Sequence, residues 1–346
     1  MTTTRRDPTR VSPPRLWAGA FAGFYRPTSG ELRELDPVSR FLYSARSVIL
    51  VISAQAAVIA GLLAATDRRF HWSQFVLVLA GFVVAHAISN LSNDFFGYRR
   101  GHDTPDSPRM RYTVHPLASG ALDTRTLVTG LTILGAIGLG ILAFLVADRG
   151  PITLAFAAAG IALLFLYDAS PVTLKAIGLG EIASFLVWGP LMVGGGYFVI
   201  TGHLSATPFW ASIPYGLGVM SILVGKHIDQ LDFDLSKHQR TLPVVLGTDR
   251  ARAFDRAVVI GMYAVTAALI GTGTLSPFVA VVALAMPRAL RAVSVLSRPK
   301  PEQPPVGYAG WPLWYHRVCL QHNRIFGWLL IGGLALGAIW PGSRLG

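Results

Sequence analysis

Long apolar stretches alternate with short polar ones along most of the chain. A stretch of about 17 to 25 apolar residues is long enough to cross a bilayer as a helix, and the sequence contains nine of them. They lie at about 48–65, 75–93, 127–147, 151–167, 179–200, 207–225, 257–273, 275–296 and 325–341. The pattern predicts an all-α membrane protein with nine transmembrane helices over residues 46–346, preceded by a polar N-terminal arm over residues 1–45.

The basic residues are distributed unevenly over the loops between these helices. With the N-terminus inside, 26 of the 30 Lys and Arg residues fall in the inner segments or at their helix ends. The other four are Arg68, Arg69, Arg149 and Arg344. Because an excess of Lys and Arg marks the cytoplasmic side, we expect a multi-pass protein of the cell membrane whose N-terminus and functional face are cytoplasmic.

The composition agrees with a membrane protein and excludes other classes. Hydrophobic residues make up 52% of the chain and charged residues only 14%, and the mean hydropathy is +0.49. The formal net charge of +12 is not gathered in one basic stretch with interleaved aromatics. Orientation in the bilayer therefore explains it better than nucleic-acid binding. The single cysteine, Cys319, excludes an intramolecular disulfide and a cysteine-based metal site.

A first polar cluster, NDFFGYRRGHD over Asn93–Asp103, lies at the inner end of the second span. Residues three, four and seven apart share one face of a helix. One polar stripe is therefore formed by His86, Asn90, Asn93, Asp94 and Gly97. Ionisable groups at membrane depth are costly and usually face the interior of a bundle or a watery cavity.

A second polar cluster, KHIDQLDFD over Lys226–Asp234, lies in the same relation to the sixth span. Its three carboxylates, Asp229, Asp232 and Asp234, repel one another unless a cation or basic partners neutralise them. Oxygen ligands suit Mg²⁺, which takes one or two carboxylates together with phosphates and waters. Two facing clusters could hold a diphosphate between metal ions, with nearby basic side chains on its oxygens. The alternative is that both clusters are solvated helix ends in which acids and arginines neutralise one another.

The two clusters and the segment between them resemble the UbiA superfamily of intramembrane aromatic prenyltransferases. Within it, the chain is similar to the menaquinone-pathway branch that acts on dihydroxynaphthoate. The first motif is matched by Asn93, Asp94 and Asp103, and the second by DFDLSKHQRTLPVVLG over Asp232–Gly247. The segment LYDASPVTLKAIGLGEIASFLVWGPLMVGGGYF, over Leu166–Phe198, resembles the family's middle segment.

The resemblance implies a nine-helix bundle around a central cavity that opens to the cytoplasmic face. It further implies an enzyme that transfers a prenyl group from a prenyl diphosphate to a dihydroxynaphthoate-like aromatic acceptor, with Mg²⁺ as cofactor and the prenyl tail lying in membrane lipid. The C–O bond ionises to an allylic cation, and metal ions and basic side chains stabilise the leaving diphosphate.

The resemblance also implies a role for individual residues. The catalytic residues are expected to be Asp94 and Asp234. The metal ligands are expected to be Asn93, Asp94, Asp103, Asp229, Asp232 and Asp234. The diphosphate is expected to bind Arg99, Arg111, Lys175, Lys237 and Arg240. The substrate is expected to contact Asn90, Asn93 and Tyr167.

The chain departs from the family pattern at three places. Gly97 and Gln230 stand where relatives usually carry an aspartate, and His115-Pro116 stands where many carry Arg-Pro. An altered metal site leaves two other functions open. One is a terpene cyclase on the same scaffold, and the other is a transport or lipid-binding membrane protein. Glu181, at the start of a helix, is expected to serve either as an N-terminal capping group or as a carboxylate of the acceptor site.

Overall fold

The computed structural model describes residues 12–22, 27–104, 107–308 and 310–340. Within these ranges every regular element is a helix, and no strand occurs. The helices are α1 Pro13–Ala22, α2 Ser29–Glu34, α3 Pro37–Ser44, α4 Ser47–Thr66, α5 Trp72–Arg99, α6 Arg109–Tyr112, α7 Thr124–Arg149, α8 Pro151–Leu164, α9 Gly180–Thr201, α10 Thr207–Asp229, α11 Leu231–Ser236, α12 Leu242–Leu246, α13 Thr248–Gly271, α14 Pro277–Leu296 and α15 Tyr315–Ile339. The predicted all-α class is confirmed.

Seven of the predicted spans are confirmed, in the described ranges, as helices long and apolar enough to cross a membrane: α4, α5, α7, α9, α10, α13 and α14. The chain is therefore a multi-pass membrane protein. The count of nine is not confirmed. The fourth stretch is the shorter apolar helix Pro151–Tyr167. The ninth lies in α15, whose first turns are polar, so that its apolar part runs for only about 15 residues from Ile325, against about 20 for a full span.

The chain divides into two compact units. The first comprises residues 1–51 and 83–139, and the second comprises 52–82 and 140–346. The predicted division at residue 45 stays a prediction, and residues 1–11 and 23–26 of the N-terminal arm lie outside the described ranges.

The first unit is built around two groups of buried apolar side chains. One group joins α4, α5 and α7 through residues that include Leu50, Leu91 and Leu127. The other joins α1 and α2 through Leu16 and Leu32. Full burial of one such leucine side chain contributes about 1.5–3 kcal/mol. The described part of the N-terminal arm is therefore packed into this unit.

Side-chain caps fix the start of the short helices in the arm. Thr28 and Glu31 form a reciprocal capping box at α2, in which each side chain binds the backbone N–H of the other. Asp36 accepts from the backbone N–H of Ser39 at 3.0 Å and caps α3. These caps satisfy N–H groups that the helices leave unpaired.

The second unit is centred on α10, which packs against α9, α13 and α15. Two glycines let α9 and α10 approach closely, because a Cβ on Gly216 would lie 3.1 Å from Cα of Gly189. Tyr215 of α10 is fully buried and donates to the backbone oxygen of Ile52 at 2.7 Å. Around Pro190, which lacks an N–H, the backbone of α9 loosens into a π-helical segment.

Candidate functional site

The centre of the first unit's polar cluster is the carboxylate of Asp94, which is fully buried on α5. Arg109 binds it in a bidentate manner, with Nη1 on Oδ1 and Nη2 at 2.7 Å from Oδ2. Arg46 adds a third contact at 2.9 Å from Oδ1. Burial alone would lower the pKa of Arg109, but the charge of Asp94 and the hydrogen bonds to it raise that pKa above its ordinary value. Asp94 is thus held by two guanidinium groups.

Neither arginine was a candidate from the sequence. Arg46 stands at the junction of α3 and α4, and Arg109 lies 15 residues beyond Asp94, on α6. Helical spacing connects only residues of one helix, so it could not relate them to Asp94. The only available signal was that a buried carboxylate requires cationic partners. Asn90, an expected substrate contact, is buried and donates to the backbone oxygen of Ala45 at 3.0 Å. Its observed role is to hold α5 against the end of α3.

The chain folds back after α5 and places Asp103 against Gly97. The backbone N–H groups of His102 and Asp103 both donate to the oxygen of Gly97, at 2.9 and 3.2 Å. A Cβ at Gly97 would collide with Oδ2 of Asp103. The position where the resemblance expects an aspartate is therefore covered by the carboxylate of Asp103, which arrives from another point in the sequence.

His115, the second departure from the family pattern, lies beside Asp103. Its Nδ1 accepts from the backbone N–H groups of Leu117 and Ala118, both at 3.2 Å. The other ring nitrogen, Nε2, is therefore left to carry the proton, and it lies 3.2 Å from Oδ2 of Asp103. Nη1 of Arg109 is 4.0 Å from the same oxygen. The first unit thus brings Asp94, Asp103, Arg109 and His115 into one network.

The remaining candidates of this unit are more open. Arg99 and Arg111 are exposed, and the guanidinium of Arg99 lies over the ring of Phe95. Asn93 is half-buried beside Asp94 on α5. Side chains in these positions are accessible to an anionic ligand.

In the second unit, the carboxylate of Asp229, an expected metal ligand, is bound by groups of the protein itself. Its Oδ2 accepts from the backbone N–H groups of Trp314 and His316, at 2.8 and 3.0 Å. Its Oδ1 lies 3.4 Å from Nζ of Lys300. Asp229 therefore caps the N-terminus of α15, where the local sequence supplies no capping side chain. All three partners are groups of the protein, and the expected role of Asp229 as a metal ligand stays a prediction.

Asp234 and Asp232 lie on α11, immediately after α10. Asp234 is buried and accepts from Oγ1 of Thr241 over a long 3.4 Å, whereas Asp232 is exposed. Arg240 is exposed and Lys237 half-buried, with its ammonium over the ring of Phe233. Two carboxylates are thus followed by two cations within nine residues of this segment.

The segment before α9 packs against the segment before α12. A Cβ on Gly178 would lie 3.4 Å from the backbone oxygen of Arg240. A Cβ on Gly180 would lie 3.1 Å from the ring of Tyr167 and 3.2 Å from Cα of Lys175. The second unit therefore gathers Tyr167, Lys175 and Arg240 close to the start of α9.

Glu181, for which the sequence left two roles open, lies in the first turn of α9. Its carboxylate is fully buried and lies 2.6 Å from Nδ1 of His227. The backbone N–H of Leu242 donates to both of its oxygens, at 3.2 and 3.4 Å. His227 was not a candidate from the sequence, because its partner is 46 residues away.

No group of three His, Cys, Asp or Glu side chains is placed to hold a metal ion within the described part of the chain. Mg²⁺ does not require such a group, since it usually binds one or two carboxylates together with phosphate oxygens and waters. The oxygen donors Asp103 and Asp234 suit that mode of binding. That the two clusters jointly hold one diphosphate stays a prediction.

Comparison with known proteins relates the chain to one family of enzymes. The sequence model of the UbiA prenyltransferase family matches residues 54–316. The UbiA prenyltransferase domain-containing protein 1 of Dictyostelium discoideum is 27% identical over 227 residues, which cover 64% of this chain and 68% of that protein. The 1,4-dihydroxy-2-naphthoate octaprenyltransferase of Bacillus subtilis is 25% identical, over 63% of this chain and 70% of that one.

The fold is also shared with a solved structure. A UbiA homolog from Archaeoglobus fulgidus, bound to GPP and Mg²⁺, superposes with a TM-score of 0.58. The two chains are 14% identical, and the match covers 85% of this chain and 99% of the other. At this level of identity the likeness establishes the fold.

Proposed function

Because the chain belongs to the UbiA prenyltransferase family, we propose that it transfers a prenyl group from a prenyl diphosphate to a dihydroxynaphthoate-like aromatic acceptor, with Mg²⁺ as cofactor. The observation that carries the proposal is that the matched residues include both acidic clusters. The name of the Bacillus relative supports the acceptor. The GPP and Mg²⁺ bound to the Archaeoglobus homolog support the donor and the cofactor.

The carboxylates proposed to hold Mg²⁺ are those with accessible or weakly engaged oxygens. They are Asp103 in the first unit, where Asn93 is proposed as a neutral ligand, and Asp232 and Asp234 in the second. Both oxygens of Asp94 are already bound by Arg109 and Arg46. Asp94 could therefore bind Mg²⁺ only if one of these guanidinium groups moved away. When bound, Mg²⁺ neutralises the charge that develops on the leaving diphosphate.

The basic side chains complete the stabilisation of the leaving group. Charge-assisted hydrogen bonds to phosphate oxygens are about twice as strong as neutral ones. The residues proposed for this role are Arg99 and Arg111 in the first unit and Lys175, Lys237 and Arg240 in the second. As the C–O bond of the donor breaks, its electron pair leaves with the diphosphate, and these cations stabilise that negative charge.

The proposed site lies at the cytoplasmic face of the cell membrane. This orientation is supported by the excess of Lys and Arg in the segments that carry both clusters. The prenyl tail of the donor is apolar and lies among the membrane helices and lipid, whereas its diphosphate requires the polar face. The assignment agrees with the position of the clusters at helix ends.

The test is a product assay with the purified full-length chain in detergent or lipid nanodiscs. Mg²⁺ and a prenyl diphosphate are supplied with and without 1,4-dihydroxy-2-naphthoate, and products are identified by mass spectrometry. We expect a prenylated naphthalene product that depends on both the acceptor and Mg²⁺. Release of diphosphate together with a hydrocarbon or terpene alcohol in the absence of any acceptor would instead establish a cyclase. Absence of turnover with every prenyl diphosphate would favour transport or lipid binding.

A further inference from the structure

His227 carries a buried ring nitrogen without a partner. The residue is 1% exposed, and Nε2 has no hydrogen-bond partner among the residues that the structure describes. An unsatisfied buried polar atom costs roughly 1–3 kcal/mol, so such an atom in a functional region calls for a ligand. His322, another buried histidine of the same unit, differs in this respect, because its Nε2 lies 2.8 Å from the hydroxyl of Tyr263.

The other ring nitrogen of His227 is held in place by Glu181. The Nδ1 to Oε1 distance is 2.6 Å, and a carboxylate at that distance keeps a proton on Nδ1. Glu181 is itself fixed by the backbone N–H of Leu242. The orientation of the imidazole ring is therefore set by contacts within the protein, and Nε2 is the only polar atom of the side chain left for a ligand. A carboxylate that orients a histidine for work at its other nitrogen is a recurring arrangement in enzymes.

The Glu181–His227 pair adjoins residues already assigned to the site in this unit. Leu242 follows Thr241, whose hydroxyl binds Asp234. Gly180 precedes Glu181 and packs against the ring of Tyr167. Glu181 is thus bound by the neighbour of Thr241, which in turn binds the proposed metal ligand Asp234. Glu181 also follows the glycine that packs against Tyr167, a proposed substrate contact.

A hydroxyl group is the ligand chemistry that suits Nε2. A hydroxyl both donates and accepts, so it satisfies Nε2 whether or not that nitrogen carries a proton. A carboxylate or a phosphate oxygen satisfies only a protonated Nε2. Of the two substrates proposed above, only the aromatic acceptor carries ring hydroxyls.

We propose that Nε2 of His227 binds a ring hydroxyl of the aromatic acceptor and that Glu181 positions the imidazole for this contact. The inference rests on the proposed function and names the residues that select its acceptor. A site built to bind a substrate hydroxyl strongly rejects the analogue that lacks it, because the protein group is then left unpaired. His227 thereby discriminates between hydroxylated and non-hydroxylated positions of the acceptor ring.

The variant H227N tests the contact most directly. Asparagine retains an N–H that can reach Glu181 but has no atom at the position of Nε2. H227Q extends further and restores a polar atom there, so it serves as the conservative rescue. The matched control is H322N, which replaces a buried histidine whose ring nitrogen already has a protein partner. Each full-length variant is first compared with the wild type by thermal unfolding in detergent.

The readout is kcat/KM for three acceptors: 1,4-dihydroxy-2-naphthoate and its two monohydroxy analogues. In the wild type, kcat/KM should be at least tenfold lower for one of the monohydroxy analogues than for the dihydroxy acceptor. In H227N, kcat/KM for the dihydroxy acceptor should fall at least tenfold relative to the wild type, and it should equal the value for that analogue. The KM of the prenyl diphosphate should stay unchanged within twofold. H227Q should recover part of the loss, and H322N should discriminate as the wild type does.

If H227N and the wild type discriminated equally between the dihydroxy acceptor and its analogue, the inference would be overturned. Nε2 would then bind a water molecule and not the acceptor. A uniform loss on all acceptors, with a raised KM for the prenyl diphosphate, would overturn it in favour of a structural role. Failure of the proposed function has a different signature, since the wild type itself would then form no acceptor-dependent product. In that case, fluorescence titration with the three naphthoates decides the inference. Weaker binding of the dihydroxy compound to H227N supports it, and equal binding to both proteins rejects it.

Discussion

Asp94 and Arg109 form a bidentate ion pair in which the carboxylate is fully buried. Removing one member of such a pair leaves an uncompensated charge out of contact with water, at a cost of about 3–5 kcal/mol. We therefore expect Asp94→Ala to destabilise the protein strongly as well as to abolish transfer. Loss of activity in this variant alone cannot identify a metal ligand.

The measurement is thermal unfolding in detergent, with Asp249→Ala as the matched control. Asp249 also pairs with an arginine, at 2.6 Å from Arg252, but its side chain is exposed. Exposed pairs contribute about 0–1 kcal/mol. Equal unfolding temperatures for the two variants would contradict the assigned role of Asp94.

Asp234→Asn is expected to isolate the metal function more cleanly. Its hydrogen bond to Thr241 is long, at 3.4 Å, and asparagine keeps the shape of the side chain. Removing one charge from the site that stabilises the leaving group should lower kcat on the order of 10²-fold, with little change in unfolding temperature. Turnover is measured across a Mg²⁺ titration, and EDTA should abolish activity in the wild type. A wild-type Mg²⁺ profile in the variant would remove Asp234 from the metal site.

Asp229→Asn should have the opposite effect. The substitution takes the charged partner from Lys300 and weakens the cap on α15, so we expect a lower unfolding temperature. The Mg²⁺ concentration at half-maximal activity should stay unchanged. Lys300→Met provides a double-mutant cycle, in which the two effects on stability should be less than additive. If Asp229→Asn raised the Mg²⁺ requirement without loss of stability, Asp229 would return to the metal ligands.

Gly97→Ala should displace the carboxylate of Asp103. Alanine is the better helix former by about 1 kcal/mol, but its Cβ would collide with Oδ2 of Asp103. We expect reduced transfer activity and no gain in stability. Gly135→Ala on α7 is the control, because a Cβ there meets no atom within 4 Å. In the background of Asp103→Ala, the substitution at position 97 should become harmless to stability. An increase in unfolding temperature for Gly97→Ala alone would show that Asp103 moves away freely.

The sequence predicts the fold well where hydrophobicity decides it. Each predicted apolar stretch coincides with a helix, because bilayer thickness and backbone hydrogen bonding leave few alternatives. The count of nine spans was not confirmed, in part because α15 begins with polar residues such as His316, Arg317 and His322. Hydropathy also gave no indication that α5 continues as one helix to Arg99, six residues beyond the end of the predicted apolar stretch at residue 93.

The site was predictable only in part, because its partners come from distant points of the chain. The acidic clusters could be recognised from local spacing. The pairing of Asp94 with Arg46 spans 48 residues, and that of Glu181 with His227 spans 46. Asp229 illustrates the same distance in the other direction along the chain, since this acid inside a recognisable motif caps a helix that begins 86 residues later. Residue type and order do not reveal which partner a carboxylate finds in three dimensions.

The packing of Asp103 on Gly97 also links the evolutionary histories of the two positions. The family motif that the chain resembles carries an acid at both positions, whereas here glycine at 97 leaves room for the carboxylate at 103. Any side chain acquired at position 97 has to expel that carboxylate from its present place. Relatives with aspartate at 97 are therefore expected to hold the acid at 103 in a different orientation, and a reversion to aspartate at 97 would require this chain to rebuild the turn that follows α5.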